Sequence, residues 1–175
     1  MIRYSPVWTL SAAMVSAASL GLLAGPGAAD APSLQYETVM EGLDNPWDMA
    51  FLDDGTMFYT EKCLGLSVRM PSGDVNALLG MEDTDGYAST ADDLFCEGQA
   101  GMMGVAVDPD FDDNRYIYVY STSSMTEPGT NRLMRLEVND DFTEVSDRTD
   151  LIEDVPYKPE ASDQPFGGAG AHNGG

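Results

Sequence analysis

Two short stretches of this 175-residue chain hold residue types that do chemistry. One is Ala-His-Asn-Gly-Gly at residues 171–175, which contains the sole histidine, His172. An imidazole takes up and returns a proton near ambient pH, so it suits general base work. Taken alone, a single histidine is more readily a residue without a role. The other stretch is "CEGQAGMMG", Cys96 to Gly104, where Gly98, Gly101 and Gly104 surround Gln99. Glycines there let the backbone approach a ligand or another strand closely. Gln99 would bring a donor and an acceptor without charge. No Lys-Ser/Thr pair follows and no helix opens, so this is not a phosphate loop. Spacing alone favours the bulged start of a strand over a ligand site. A third stretch, "DPDFDDN" from Asp108 to Asn114, has the acidic content of a calcium loop. An EF-hand needs Gly at its sixth position and Glu at its twelfth, where Asp113 and Val119 stand. A hairpin turn is expected there instead.

The elements that must position these residues are strands. "NPWDMAFLDDGTMFYTEK" from Asn45 and "GMMGVAVDPDFDDNRYIYVYST" from Gly101 share one plan: an apolar run, an Asp/Gly/Asn-rich turn, then a β-rich run. Aligning Ala50 with Ala106 gives an offset of 56 residues. "YIYVY", Tyr116 to Tyr120, has the strongest β-propensity in the chain, with an alternation that could face either way. Further strands are expected at "LSVRM" from Leu66 and "RLMRLEV" from Arg132, followed by the turn signals "PSGD" and "NDD". No helical periodicity runs beyond about ten residues after the leader. Short strands repeated in this way predict propeller blades, with a β-sandwich as the alternative. The Pro- and Gly-rich run from Pro156 onward reads as a loop leading to His172, and loops on a rigid scaffold are where site residues concentrate.

The first thirty residues differ in kind. Arg3 precedes an uncharged apolar and small-residue run, and "GPGAADA" offers small residues at cleavage spacing. Residues 1–29 are expected to be a secretory signal peptide cleaved after Ala29, not a retained anchor. Residues 30–175 would then work in the periplasm or outside the cell, with no stable membrane insertion once the signal is removed. In an oxidising compartment Cys63 and Cys96 are expected to pair, closing a loop of about 33 residues. Two isolated cysteines without a CxxC pattern make poor metal or haem ligands. The net charge of -22, from 30 acidic and 8 basic residues, repels nucleic acid and anionic membranes. The acids are scattered in pairs such as Asp53-Asp54, which reads as a solvated surface.

In order along the chain, "GLDNPWDMAFLDDGTMFYTEK", "GQAGMMGVAVDPDFDDNRYIYVY" and "HNGG" resemble successive landmarks of one family. It is that of the soluble sugar dehydrogenases dependent on pyrroloquinoline quinone (PQQ), the glucose/sorbosone dehydrogenases. The likeness runs from about Gly42 to Gly175, and its middle motif is the most specific. It implies an all-β fold, a six-bladed propeller of which this chain covers roughly two blades and the lead into a third. It implies oxidation of an aldose or sugar aldehyde by hydride transfer to the quinone, and an external electron acceptor. His172 would be the general base and Gln99 the pocket glutamine beside cofactor and sugar. The basic residues that grip PQQ, and the ligands of its calcium, are expected beyond Gly175, so the chain alone should be inactive. Some family members carry an acidic residue where Ala171 stands, which leaves the sugar open. The alternatives are a calcium-dependent propeller lactonase and a non-catalytic extracellular binding module on the same scaffold.

Overall fold

The computed structural model describes residues 33–157. Residues 33–38 belong to a unit of their own and form neither strand nor helix. The unit that begins at Val39 holds two antiparallel meanders. The first comprises β1 (Pro46–Phe51), β2 (Met57–Glu61), β3 (Gly65–Arg69) and β4 (Val75–Gly80), with the two-residue β5 (Ser89–Thr90) parallel to β4. The second comprises β6 (Met102–Val107), β7 (Tyr116–Ser123), β8 (Thr130–Val138) and β9 (Val145–Pro156). Both bounds of β6 lie 56 residues after those of β1, which is the offset seen in the sequence. β1 packs against β6, so the first strand of each meander is the inner one.

The residues decide which face is buried. In "YIYVY", Ile117 and Val119 are buried, while Tyr116, Tyr118 and Tyr120 sit half-buried on the other face. Ile117 and Val119 join Met134 and Leu136 of β8 and meet Phe58, Leu66, Val68 and Leu78 of the first sheet in one core. Each such side chain, taken fully out of water, contributes roughly 1.5–3 kcal/mol before entropy is counted. The "DPDFDDN" turn contains a single helical turn, α1 (Phe111–Asn114). That turn drops Phe111 onto Phe58 edge-on, with ring centroids 5.8 Å apart. Arg115 ends it in the left-handed region, its guanidinium over the rings of Phe111 and Phe142 at 4.4 and 4.3 Å.

Three strands go beyond what the pattern predicts, the two-residue β5 among them. β4 carries a short apolar run, "VNALLG", next to the Asp-rich segment that follows it, and β9 reads "VSDRTDLIEDVP", dominated by charge. β9 forms the outer edge of its sheet and is mostly exposed. An edge strand needs no apolar alternation, because ladder pairing with β8 holds it. The "NDD" turn before it closes on Asn139, whose side-chain oxygen accepts from the Thr143 and Glu144 amides at 2.8 and 3.1 Å.

Candidate active site

Strand direction sorts the connections into two ends. The approach to β1 (residues 42–45), the β2–β3 turn (residues 62–64) and the link into β6 (residues 91–101) gather at one end. The β1–β2 turn, α1 and the β8–β9 turn lie at the other. Gln99 belongs to the first end. Glu97 and Ala100 exchange both backbone hydrogen bonds, at 3.1 and 2.8 Å, so Gly98 and Gln99 form a two-residue turn. Gly98 has φ +59°, and Gln99 is not among the positive-φ residues. Glycine at the first central position with an ordinary second residue is the type II′ pattern. Gln99 is exposed at the tip, and Ala100 is buried behind it.

Beyond the turn the chain passes hard against the β2–β3 connection. A Cβ on Gly101 would overlap the Lys62 carbonyl and the Lys62 side chain. That explains the second glycine of the motif as clearly as φ explains the first. β6 then begins with a bulge between Met102 and Val105. The first sheet satisfies the irregular backbone: the Thr60 hydroxyl donates to the Met103 carbonyl at 2.5 Å, and Asp48 accepts from the Val105 amide at 3.0 Å. The bulged strand start predicted from spacing is therefore present, with the exposed glutamine set immediately before it.

Several contacts hold the link in place. Cys63 and Cys96 are joined by a disulfide, with Cα atoms 5.1 Å apart. Asp93 receives a bidentate pair from Arg148 of β9, at 2.7 and 2.8 Å, and a Ser123 hydroxyl bond at 2.5 Å. Arg148 also reaches Asp150, which accepts from Arg132 at 2.7 Å. Burial by itself would raise the Asp93 carboxyl; the Arg148 and Ser123 hydrogen bonds outweigh it and hold it below its usual value. Asp150 is lowered by the same balance, its partners being Arg148 and Arg132.

The end of β9 is tied to the same link. Phe95 and Tyr157 meet edge-on with centroids 5.4 Å apart, and the Tyr157 hydroxyl donates to the Glu97 carboxylate. Burial, then the hydrogen bond to Glu97 and its charge, push the Tyr157 phenol up to about 12, so it remains a neutral donor. Beneath it, Thr122 accepts from the Gly101 amide at 3.1 Å and donates to Asn131 at 2.9 Å, and Asn131 donates to the Pro156 carbonyl at 3.3 Å. The Gln99 turn and the end of β9 are thus joined by side chains.

A cleft of about 550 Å³ opens at the opposite end, lined by Asp53, Asp54, Asp108, Asp112 and Arg115 among others. Three of these charges are already engaged, Asp54 by the Thr56 amide at 2.8 Å. Asp108 accepts from the Tyr118 hydroxyl, the Asn114 amide and the Asp110 backbone. Arg115 donates to the carbonyls of Val138 and Asn139. Among the described residues no group of three His, Cys, Asp or Glu could hold a metal ion. No helix among them is long and apolar enough to cross a membrane.

Of the residues singled out in the sequence, Gln99 sits at the tip of the stapled turn and Cys63 meets Cys96. His172 and residues 1–29 lie outside the described residues. Sequence reading missed Lys62, Glu97 and Tyr157, which surround the turn in space. Lys62 and Glu97 each adjoin a cysteine in sequence, which could have flagged them; nothing local marks Tyr157.

The glucose/sorbosone dehydrogenase family model matches residues 43–171, a span that includes the Gln99 turn. The chain belongs to the glucose/sorbosone dehydrogenase family. It is 25% identical over 130 residues to the aldose sugar dehydrogenase YliI of Escherichia coli, covering 71% of this chain and 32% of the relative. Among solved structures, it is similar to the soluble aldose sugar dehydrogenase of E. coli in its apo form, with TM-score 0.57 and 24% identity. That likeness covers 75% of this chain and 35% of the other. The PQQ-bound aldose sugar dehydrogenase of Streptomyces coelicolor matches with TM-score 0.55 and 19% identity, over 70% of this chain and 34% of that one. The shared fold is the β-propeller, and the two meanders are two of its blades. The chain spans about a third of the length of these relatives.

Proposed function

We propose that the full-length protein carrying this chain oxidises an aldose or sugar aldehyde, with His172 as general base and PQQ as hydride acceptor. Gln99 is the neutral hydrogen-bonding group beside sugar and cofactor. Membership of a sugar dehydrogenase family supports the reaction class, and the Streptomyces relative solved with PQQ supports the cofactor. The observation that carries the reading is the Gln99 turn itself. An uncharged amide stands exposed on a two-residue turn that a disulfide, a lysine and a buried hydrogen-bond chain all immobilise. A surface glutamine without a role needs no such support. The Tyr157–Glu97 contact ties the residue after β9 to that turn.

PQQ, when bound, supplies the electrophilic quinone that accepts the hydride. Its carboxylates ask for donors and positive charge. At this end the described residues offer the Gln99 amide, while the cations Lys62, Arg132 and Arg148 are each engaged by protein acceptors, so they do not balance such a group. Further cations, and the calcium ligands, belong in this proposal to the remaining length that the relatives have. His172 would take the hydroxyl proton as hydride leaves the anomeric carbon, which requires the neutral imidazole. Export behind a cleaved residue 1–29 leader to the periplasm or medium is part of the same proposal, and suits the disulfide. So is an external acceptor that reoxidises the quinone. The 175-residue chain by itself is proposed to lack turnover.

Stopped-flow reduction of bound quinone tests the assignments in the full-length protein. His172→Gln should retain PQQ and lose about 10²–10⁴ in rate with sugar. Gln99→Ala should weaken sugar binding as well as rate. A His172→Gln enzyme that reduces its quinone at the parental rate eliminates the base assignment.

A further inference from the structure

Lys62 is the point at which three segments meet. Its backbone N–H donates to the Asn45 carbonyl at 3.0 Å, just before β1. Its carbonyl accepts from the Met102 amide at 2.9 Å, at the start of β6. Its ammonium donates to the Gly98 carbonyl, and the next residue, Cys63, is bonded to Cys96. The backbone contacts and the disulfide already hold the link, so the ammonium has a separate task.

Gly98 carries the central peptide of the turn, the one joining it to Gln99. In a two-residue turn the primed types I′ and II′ differ by a flip of that peptide. The flip reverses the carbonyl and rotates the second residue, here Gln99. Gly98 at φ +59° opposes such a flip weakly, since it has no side chain to clash, while Gln99 opposes it more because the flip would carry an L side chain to positive φ. An ammonium on the carbonyl favours one orientation only. Among the described residues Lys62 forms no ion pair, although the chain has 30 acidic residues against 8 basic ones. Its charge is directed at a neutral peptide oxygen, where a charge-assisted hydrogen bond is stronger than a neutral one.

We infer that Lys62 is a positioning residue for the sugar site: its ammonium locks the Gly98–Gln99 peptide and so sets the direction in which Gln99 presents its amide. The inference rests on the proposed role of Gln99 in sugar binding for its effect on turnover, but not for its effect on the turn.

The full-length protein is compared as parent, Lys62→Met, Lys62→Arg, Gln99→Ala and the Lys62→Met/Gln99→Ala double variant. Hydrogen exchange of the peptide covering residues 97–100 should quicken about tenfold in Lys62→Met, with the rest of the molecule unchanged, and return toward the parent in Lys62→Arg. The sugar KM should rise about fivefold in Lys62→Met, as for one lost hydrogen bond, with a smaller change in kcat. In the Gln99→Ala background the same substitution should add nothing, because its route of action is gone. Unchanged exchange in Lys62→Met overturns the inference. So does a KM effect of equal size in both backgrounds, which would mean that Lys62 acts without Gln99. A Gln99→Ala protein with parental sugar kinetics overturns the sugar role instead, and leaves the locking of the turn to be decided by the exchange measurement.

Discussion

Asp48 of β1 accepts a hydrogen bond from the backbone amide of Val105 in β6, 3.0 Å away and 57 residues along the chain. The amide is available because β6 is the edge strand of its sheet: Val105 stands opposite Val119, and its N–H is turned outward from β7. One carboxylate of the first blade therefore caps the open edge of the second. Asp48→Ala should leave the Val105 amide buried without a partner and cost about 1–3 kcal/mol. Asp48→Asn, which keeps an acceptor, should cost less than half as much. Urea unfolding of the two variants checks this, and equal losses would show that the acceptor does not matter.

The Cys63–Cys96 bond crosses from the β2–β3 turn to the link before β6. Closing a loop of 33 residues stabilises by about 3–4 kcal/mol in the chain-entropy model. The Cys63→Ser/Cys96→Ser protein should lose stability of that order. Non-reducing peptide mapping of exported protein should recover the two cysteines as one linked pair, and recovery of both as alkylated thiols would contradict the structure.

Acid should weaken the clamp on the link. Asp93 and Asp150 are both held below their ordinary value near 3.8. A depressed folded value means that their stabilisation is present above that ordinary value and is lost as pH falls through the lower folded one. Arg148→Met removes a half-buried bidentate partner and should cost about 1–2 kcal/mol at pH 7. The deficit should shrink between pH 5 and pH 3, because burial then favours a protonated Asp93. Thermal unfolding across that range tests the sign, and a constant gap would show that Asp93 is not the partner that matters.

Two glycines of one motif should fail for different reasons. Gly98→Ala places an L side chain at φ +59° and should cost about 1–2 kcal/mol, felt mainly in the exchange of residues 97–100. Gly101→Ala drives a methyl group into the Lys62 carbonyl and should cost about 1–3 kcal/mol while disturbing the β2–β3 turn. Chemical shifts of Lys62 and Leu64 should move in the second variant and hardly in the first. The reverse pattern would exchange the two explanations.

The sequence by itself determined the strands other than β4, β5 and β9, because alternation and β-propensity are local properties of runs such as "YIYVY" and "LSVRM". It determined the 56-residue repeat as well, and with the landmark motifs the family. It also marked Gln99, since glycines crowded round one polar residue are visible without coordinates. The tertiary structure alone decided that Ile117 and Val119 face the core while their tyrosine neighbours do not, because period-2 alternation is symmetric until a second sheet covers one face. It decided that β9, rich in charge and without apolar alternation, is a strand, because ladder pairing to β8 needs backbone and no apolar side chains. It decided the roles of Asp48, Lys62 and Tyr157 too. Each acts on backbone or side-chain groups 36 to 60 residues away. Such pairings follow from how two blades lie against each other, which no local spacing records.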